Sequence, residues 1–380
     1  MSFAQRAEGR EQRAELVDSL REAGADGRSV RFRGGGTKLN WGLAPEPEVE
    51  LSTAGLDRIV EHNVGDLTAV LEPGVRLERA QAAFAEEGQM LSLDPPAGAS
   101  TVGGIVAAGD SGPLRSRYGA ARDLVVGMTV ALSDGTVARS GGQVIKNVAG
   151  YDLSKLFSGS LGTLGAILEL SVRLHPLPRA TATTAAGSRD PDVLGRAALA
   201  LSHCPLEHMG LDLRFGGGDG AVLMRLGGAE PLRQAEGAVR VLEEAGIDGE
   251  VVEEDAEAWQ RQRDGQRSPE GTVVRVSAVQ TELPRVMRAA DAVGARLVGR
   301  VPLGLCWLRL DDRSPEEAAR AVERLRSELA PNPCAVLDAP TSLRGQIDSW
   351  GPRDPGTVQL MRRVKERFDP AGVCNPGALF

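Results

Sequence analysis

The chain reads as an α+β protein. In its first half, short β-branched runs are interrupted by glycine-rich loops and packed helices, without the strict alternation of a βαβ fold. In its second half, strands alternate with amphipathic helices, the pattern of a sheet covered by helices on one side. Residues 11–23 carry Leu16, Val17 and Leu20 at helical spacing and stop at Gly24. Ser29–Arg33 is a short strand that runs into three glycines. Further strands are expected at Val49–Ser52, Thr68–Glu72, Val125–Leu132, Thr136–Arg139 and Ala166–Leu174, with Ser133-Asp134-Gly135 as a hairpin turn. Residues 76–88 form a second helix, ended by Gly88.

His175-Pro176-Leu177-Pro178 closes this first unit, and a threonine- and alanine-rich linker follows to Ser188. Beyond it, strands at Leu211–Phe215, Ala221–Leu226, Val273–Ser277 and Leu305–Leu310 alternate with helices. Leu232, Ala235, Val239 and Leu242 line one helix; Ala318, Val322, Leu325 and Leu329 line another. A last helix near 357–367 leads into the tail.

At 380 residues the chain has room for two or three cores. The net charge of −8 comes from 52 acids against 44 bases without long runs, which argues against a nucleic-acid partner. No apolar stretch approaches the roughly 18 residues that span a bilayer, and the amino terminus lacks a signal-peptide core. The expected location is the cytoplasm, or the membrane surface through a partner. Cys204, Cys306, Cys334 and Cys374 form no C-x-x-C pair, so no iron–sulfur cluster, disulfide or other metal site is expected.

Five glycine-punctuated loops carry the chemistry: Arg33–Gly42, Ser100–Gly104, Ala108–Gly112, Lys146–Leu153 and Gly159–Gly165. Glycine lets backbone amides approach a ligand, and consecutive amides facing one way hold oxygen anions. Five such loops in one stretch suggest a long phosphorylated cofactor lying across several strand ends. No segment has a G-x-G-x-x-G between strand and helix with an acid about 20 residues on, which sets aside an NAD-type site.

In this order the loops resemble the flavoproteins of the vanillyl-alcohol oxidase type, with PCMH-type FAD-binding domains. Lys146-Asn147-Val148-Ala149-Gly150-Tyr151-Asp152-Leu153 points to their glycolate-oxidase FAD-subunit branch, related to the D-2-hydroxyacid dehydrogenases. The resemblance covers residues 12–179 and returns in Phe368-Asp369-Pro370-Ala371-Gly372-Val373-Cys374-Asn375-Pro376-Gly377. It implies a two-subdomain FAD-binding domain over 1–179, a cap or substrate domain over 180–345, and a C-terminal helix and tail over 346–380 that returns to the first domain.

The implied cofactor is FAD. Arg33, Gly34, Gly35, Gly36, Thr37, Lys38, Leu39 and Asn40 are expected to wrap its pyrophosphate. Pro95 sits in a rigid turn ahead of Ser100, Thr101, Gly103 and Gly104, which the resemblance also places at the pyrophosphate. The run Gly103–Gly109 could also be a helix packed on the sheet, its glycines there for contact alone. Ser111 and Gly112 are implied nearer the flavin, Gly162, Gly165 and Ile167 at the adenine end, and Asn375 beside the isoalloxazine. Thr37 stands where covalently linked relatives carry histidine, so FAD is expected to be bound non-covalently.

Catalytic residues are not legible. Lys146 is a candidate cation for the flavin N1–C2=O edge, with a solvated surface lysine as its alternative. Tyr118 and Tyr151 read either as buried phenols or as groups facing the flavin. Related dehydrogenases carry a His-Gly-Asp-Gly-Asn-like segment. Here His62, His175, His203 and His208 lie outside any such segment, and Gly216-Gly217-Gly218-Asp219-Gly220 lacks the histidine.

These features imply an FAD-binding oxidoreductase subunit of a glycolate oxidase-like complex. It would act on a 2-hydroxy acid beside a second flavoprotein subunit and an iron–sulfur subunit. A non-catalytic FAD-holding or assembly subunit is the alternative. A stand-alone alcohol or hydroxyacid oxidase is another, with Arg214 and Arg225 as candidate carboxylate clamps.

Overall fold

The computed structural model describes residues 3–96, 98–142, 152–343 and 345–379. Lys146 and Tyr151 lie outside them. The first helix, Phe3–Asp26, buries Leu16, Leu20 and Ala23, spaced i, i+4, i+7. It runs through Gly24, where a stop was expected. A Cβ on Gly24 would lie 2.1 Å from the Ser133 carbonyl oxygen, so this glycine serves close packing. The helix ends at Gly27, at φ +68°.

Val30–Arg33 pairs in parallel with Val49–Ser52. The tail adds to the same edge: Val30 N–H donates to Val373 O at 2.7 Å and Asn375 N–H to Val30 O at 2.7 Å. Lys365 Nζ locks the tail by donating to Asp369 Oδ2, Cys374 O and Thr163 O at 2.6, 2.8 and 2.9 Å.

An antiparallel five-stranded sheet follows, ordered Ile59–Asn63, Thr68–Leu71, Ala166–Arg173, Val125–Ala131, Val137–Gly141. Helices Leu77–Ala85 and Val102–Ala108 pack on it through Ala80, Phe84, Ile105 and Val106. Of the two readings of Gly103–Gly109, the helix is the one observed, with Thr101 Oγ1 accepting from Gly104 N–H at 3.3 Å as its N-cap.

The second half is one antiparallel eight-stranded sheet. Its order is Glu250–Val252, Thr181–Gly187, Asp219–Gly227, His208–Gly216, Arg296–Arg300, Leu305–Leu310, Thr272–Ser277, Cys334–Asp338. The threonine-rich segment read as a linker is therefore a strand. Its hydroxyls are satisfied inside: Thr184 Oγ1 donates to Ala235 O at 2.8 Å and Thr183 Oγ1 to Asp255 Oδ2 at 2.7 Å.

Four helices, Pro191–His203, Pro231–Glu244, Leu283–Ala292 and Pro315–Leu329, bury one face of this sheet. Ala318, Val322, Leu325 and Leu329 all point inward, but Leu232 is half exposed and Ala238 takes its place beside Ala235 and Leu242.

Strand alternation sends Val273, Val298, Trp307 and Leu337 to the opposite face, where they pack with Trp41 of the first domain. On that face Arg300 Nη1 meets Asp212 Oδ2 at 2.6 Å, both side chains fully buried on adjacent strands. Removing one partner strands the other charge. Arg300→Met is expected to cost about 3–5 kcal/mol in a denaturant titration, with much of the loss recovered in the double variant with Asp212→Leu.

Candidate cofactor trough and domain-interface chamber

The loop after Val30–Arg33 lies directly on the turn that precedes the helix Val102–Ala108. A Cβ on Gly35 would sit 1.5 Å from Ala99 O, and one on Gly34 would sit 2.3 Å from Thr101 Oγ1. These glycines therefore exist first for loop-on-loop contact. Lys38 is buried against this turn. Its Nζ donates to Thr37 Oγ1 and Ser100 Oγ at 3.1 and 3.3 Å and pairs with Asp110 at 3.1 Å. Farther along, Trp41 Nε1 donates to Asp338 Oδ1 at 2.9 Å, and Arg267 donates to Thr37 O at 2.7 Å. The cap thus holds the loop from outside.

Three cavities run along this junction. The innermost, about 50 Å³, is lined by Thr53, Pro73, Gly103, Gly165 and Ile167 among others. Phe32, Gly34, Gly104, Ala107 and Gly162 also line the next, of about 90 Å³. Trp41, Ala108 and Leu161 then continue into a chamber of about 500 Å³ between the domains. Shared walls set the three side by side as a trough, narrow at the glycine loops and wide at the interface with the cap. Such a shape suits an elongated ligand with a slim phosphate section.

Gly34, Gly35, Gly36, Thr37, Lys38, Leu39, Thr101, Gly103, Gly104, Gly162, Gly165, Ile167 and Asn375 line the trough. Asn375 Nδ2 also donates to Leu161 O at 2.7 Å, tying the tail to the trough wall. Arg33, Asn40, Pro95, Ser100, Ser111, Gly112 and Tyr118 are outside the lining. Arg33 turns outward to Glu50 at 3.0 Å, and Asn40 Nδ2 donates to Ala339 O. Ser100 Oγ supports Thr37 and Lys38 from behind. Ser111 Oγ accepts from Arg115 Nη1 at 3.3 Å. Gly112 packs on Asp94, whose carbonyl oxygen would lie 1.8 Å from a Cβ there. Pro95 is buried, and the Tyr118 ring lies tilted against His175, centroids 4.7 Å apart.

The candidate clamps Arg214 and Arg225 are engaged elsewhere. Arg214 pairs with Asp219 at 3.1 Å, and Arg225 grips both Asp255 oxygens at 3.0 Å.

The chamber lining that sequence reasoning missed comprises Trp41, Arg115, Arg122, Asp123, Arg275, Leu337 and Trp350. Trp41 and Arg115 stand within or beside the glycine motifs, so those motifs were the available signal. Arg275 and Leu337 come from cap strands and reach the chamber only through the fold. Burial holds the Arg275 and Arg115 guanidiniums below their usual range, and Arg115 itself adds to the effect on Arg275. None of His62, His175, His203 and His208 lines the chamber. Among the described residues, no group of three or more His, Cys, Asp or Glu is placed to hold a metal ion, and no helix is long and apolar enough to cross a membrane.

Beneath the chamber wall, Asp94 accepts from Leu114 N–H at 3.0 Å and so sets the segment that carries Arg115. Burial pushes its carboxyl up to about 7, against the pull of Arg300, the Leu114 amide and Arg263.

Residues 10–141 match the FAD binding domain family, and residues 351–379 match the C-terminal domain of FAD linked oxidases. The chain is 30% identical over 376 residues to glycolate oxidase subunit GlcE of Escherichia coli (strain K12), covering 96% of each chain. It is 39% identical over 153 residues to glycolate oxidase subunit GlcD of Bacillus subtilis (strain 168), covering 40% of this chain and 33% of that one. Among solved structures, alkyldihydroxyacetonephosphate synthase superposes with a TM-score of 0.70 at 15% identity, covering 95% of this chain and 74% of that one. That likeness speaks to fold alone.

The trough fits FAD on its own geometry. A Cβ on Gly104 would meet only Thr101 Oγ1, at 3.2 Å, and this glycine lines the trough. Gly104→Ala is expected to leave the apoprotein as stable as the parent, while weakening FAD binding by about 1–3 kcal/mol in a calorimetric titration. Gly35→Ala should instead lower the melting temperature even without FAD. A second expectation concerns Asp94, whose folded-state value lies above the unfolded one of about 4. Between pH 4 and 7 the folded chain keeps a proton that the unfolded chain has lost, so stability falls as pH rises. Burial also raises the Asp212 carboxyl to about 7, so thermal melts of Asp94→Asn should show a shallower slope and not a flat one.

Proposed function

Because this chain belongs to the FAD-linked oxidase family, and so is an FAD-dependent oxidoreductase acting on CH–OH groups, we propose that it oxidises a 2-hydroxy acid as one subunit of a glycolate oxidase-like complex. The observation that carries this reading is the chamber at the domain interface. It continues the glycine-lined trough, is walled by Trp41, Leu161, Leu337 and Trp350, and adds charged Arg115, Arg275 and Asp123. A redox ring entering from the trough and a small polar substrate entering from the cap side would meet there. The full-length similarity to a protein named as a glycolate oxidase subunit supports the same substrate class. Electrons then leave to a second flavoprotein subunit and an iron–sulfur subunit.

FAD supplies the acceptor for the hydride of the substrate α-carbon when bound. The chain supplies the rest. Backbone amides of the loop 34–39 would receive the phosphates, whereas the Val102, Gly103 and Gly104 amides already donate to Val75 O, Pro73 O and Thr101 Oγ1. Thr37, bonded to Ser100 and Lys38, offers no group for a covalent link to the flavin. The aromatic and leucine walls keep water from the reacting carbon. Asp123 is the one residue of the described lining with a carboxylate. Its Oδ2 accepts from Ala120 N–H at 2.9 Å, leaving Oδ1, 3.7 Å from Arg122 Nε, to take the hydroxyl proton.

Purified chain reconstituted with FAD should be yellow and should bleach when glycolate or D-lactate is added anaerobically. Asp123→Asn should keep its FAD and slow that bleaching by about a hundredfold. A yellow protein that no 2-hydroxy acid bleaches, but that a reduced partner subunit does, would replace the substrate reading by electron relay.

A further inference from the structure

We propose that Lys365 is a positioning residue for the cofactor: from outside the trough it clasps the loop 160–165 to the tail 373–375 and so sets the width between them. The role concerns FAD alone and stands whichever acid the chamber takes. Its physical basis is a single ammonium group that holds two backbone segments, each with a left-handed residue on the trough wall.

The helix Pro355–Phe368 sets Val364 and Phe368 against the core of the first domain, with the Phe368 ring edge-on to Phe157, centroids 5.6 Å apart. Lys365 shares that face, one residue from Val364 and three from Phe368, and its side chain is only 13% exposed. Its three ammonium hydrogens meet three acceptors: Thr163 O in the loop, Cys374 O in the tail, and Asp369 Oδ2. The Asp369 side chain is fully buried, and its Oδ2 also accepts from Cys374 N–H at 2.8 Å. Ammonium and carboxylate thus grip Cys374 by its C=O and its N–H together.

The segments so joined are strained where they meet the trough. Leu161 and Asn375 have φ of +53° and +40°, in the left-handed region that side chains disfavour. They are two of the five non-glycine residues with positive φ among the described residues, and they are bonded to each other, Asn375 Nδ2 donating to Leu161 O at 2.7 Å. Both line the trough, whereas Lys365 and Asp369 do not. Strained backbone persists only where its surroundings over-determine it. Lys365 holds the residue before Asn375 and the residue two beyond Leu161, so it fixes both ends of that tie. Apolar residues would secure a tail at less desolvation cost than a buried ion pair, so the specific contribution of this pair is geometry.

Calorimetric titration of the apoprotein with FAD, well below the melting temperature, tests the role. Lys365→Met combined with Asp369→Leu removes both charges and keeps the volume. Expected is a cooperative thermal melt, with FAD bound about 10- to 100-fold more weakly than by the parent. Lys365→Arg keeps the charge beside Asp369, but its planar fork cannot bring three donors to one point, so its affinity should fall between. Asn375→Ala alone should lose a similar factor. Adding it to the double variant should lose little more, because tie and clasp act on the same two segments. Folded variants that bind FAD as tightly as the parent overturn the role and leave Lys365 a tail anchor. Losses that multiply when Asn375→Ala is added overturn it too, since clasp and tie would then act independently. If the double variant does not melt cooperatively, Lys365→Arg decides alone: parent affinity overturns the role, and a weaker affinity at a parent-like melting temperature upholds it.

Discussion

The carboxylate of Asp338, at the end of the edge strand of the cap sheet, is buried and gathers three donors. Trp41 Nε1 reaches it from the glycine loop of the first domain, at 2.9 Å, and Arg267 grips both its oxygens at 2.6 and 2.9 Å. The Ser268 amide donates as well, at 3.2 Å. Arg267 in turn donates to Thr37 O and lies over the Trp41 ring, 5.5 Å from its centroid. A charge this deeply buried is tolerable only while its partners stay in place. The loop that forms the trough is therefore positioned by the cap as much as by its own domain. Trough and chamber have a defined shape only when the two halves are docked.

The same economy appears in the glycines. Gly34, Gly35 and Gly103 have no room for a Cβ because another backbone or side chain already occupies it, whereas Gly104 faces open trough. Loop contact and ligand contact are thus divided among neighbouring glycines. The first kind brings two backbone segments close enough to make a wall, and the second keeps that wall bare. Behind the wall, Asp94 holds the Leu114 amide and the buried Ser111 hydroxyl supports Arg115, so this arginine stands on polar supports.

Much of the architecture was legible because local rules and tertiary packing agree. The hairpin at Ser133-Asp134-Gly135 closes as its turn residues require, with Gly135 at φ +83°. The helix Pro315–Leu329 buries the face its spacing announced. Disagreement arises where a residue's role depends on a distant neighbour. Gly24 looked like a helix stop but is a contact with the hairpin turn. Thr181–Gly187 looked like a linker, since threonine and alanine give no clear apolar period, yet it is a strand whose hydroxyls find Asp255 and Ala235. Arg214 and Arg225 looked like free cap arginines, and only the fold reveals the aspartates that hold them.

By itself the sequence determined the class of cofactor site. A phosphate-binding wall is made of backbone, and the glycines that expose backbone are written locally, in order, at strand ends. The chamber chemistry was decided only by tertiary structure. Arg275, Leu337 and Trp350 come from segments more than a hundred residues beyond the glycine loops. Side chains from distant segments become a site only when sheet alternation and domain docking aim them into one volume, and no local period records that direction.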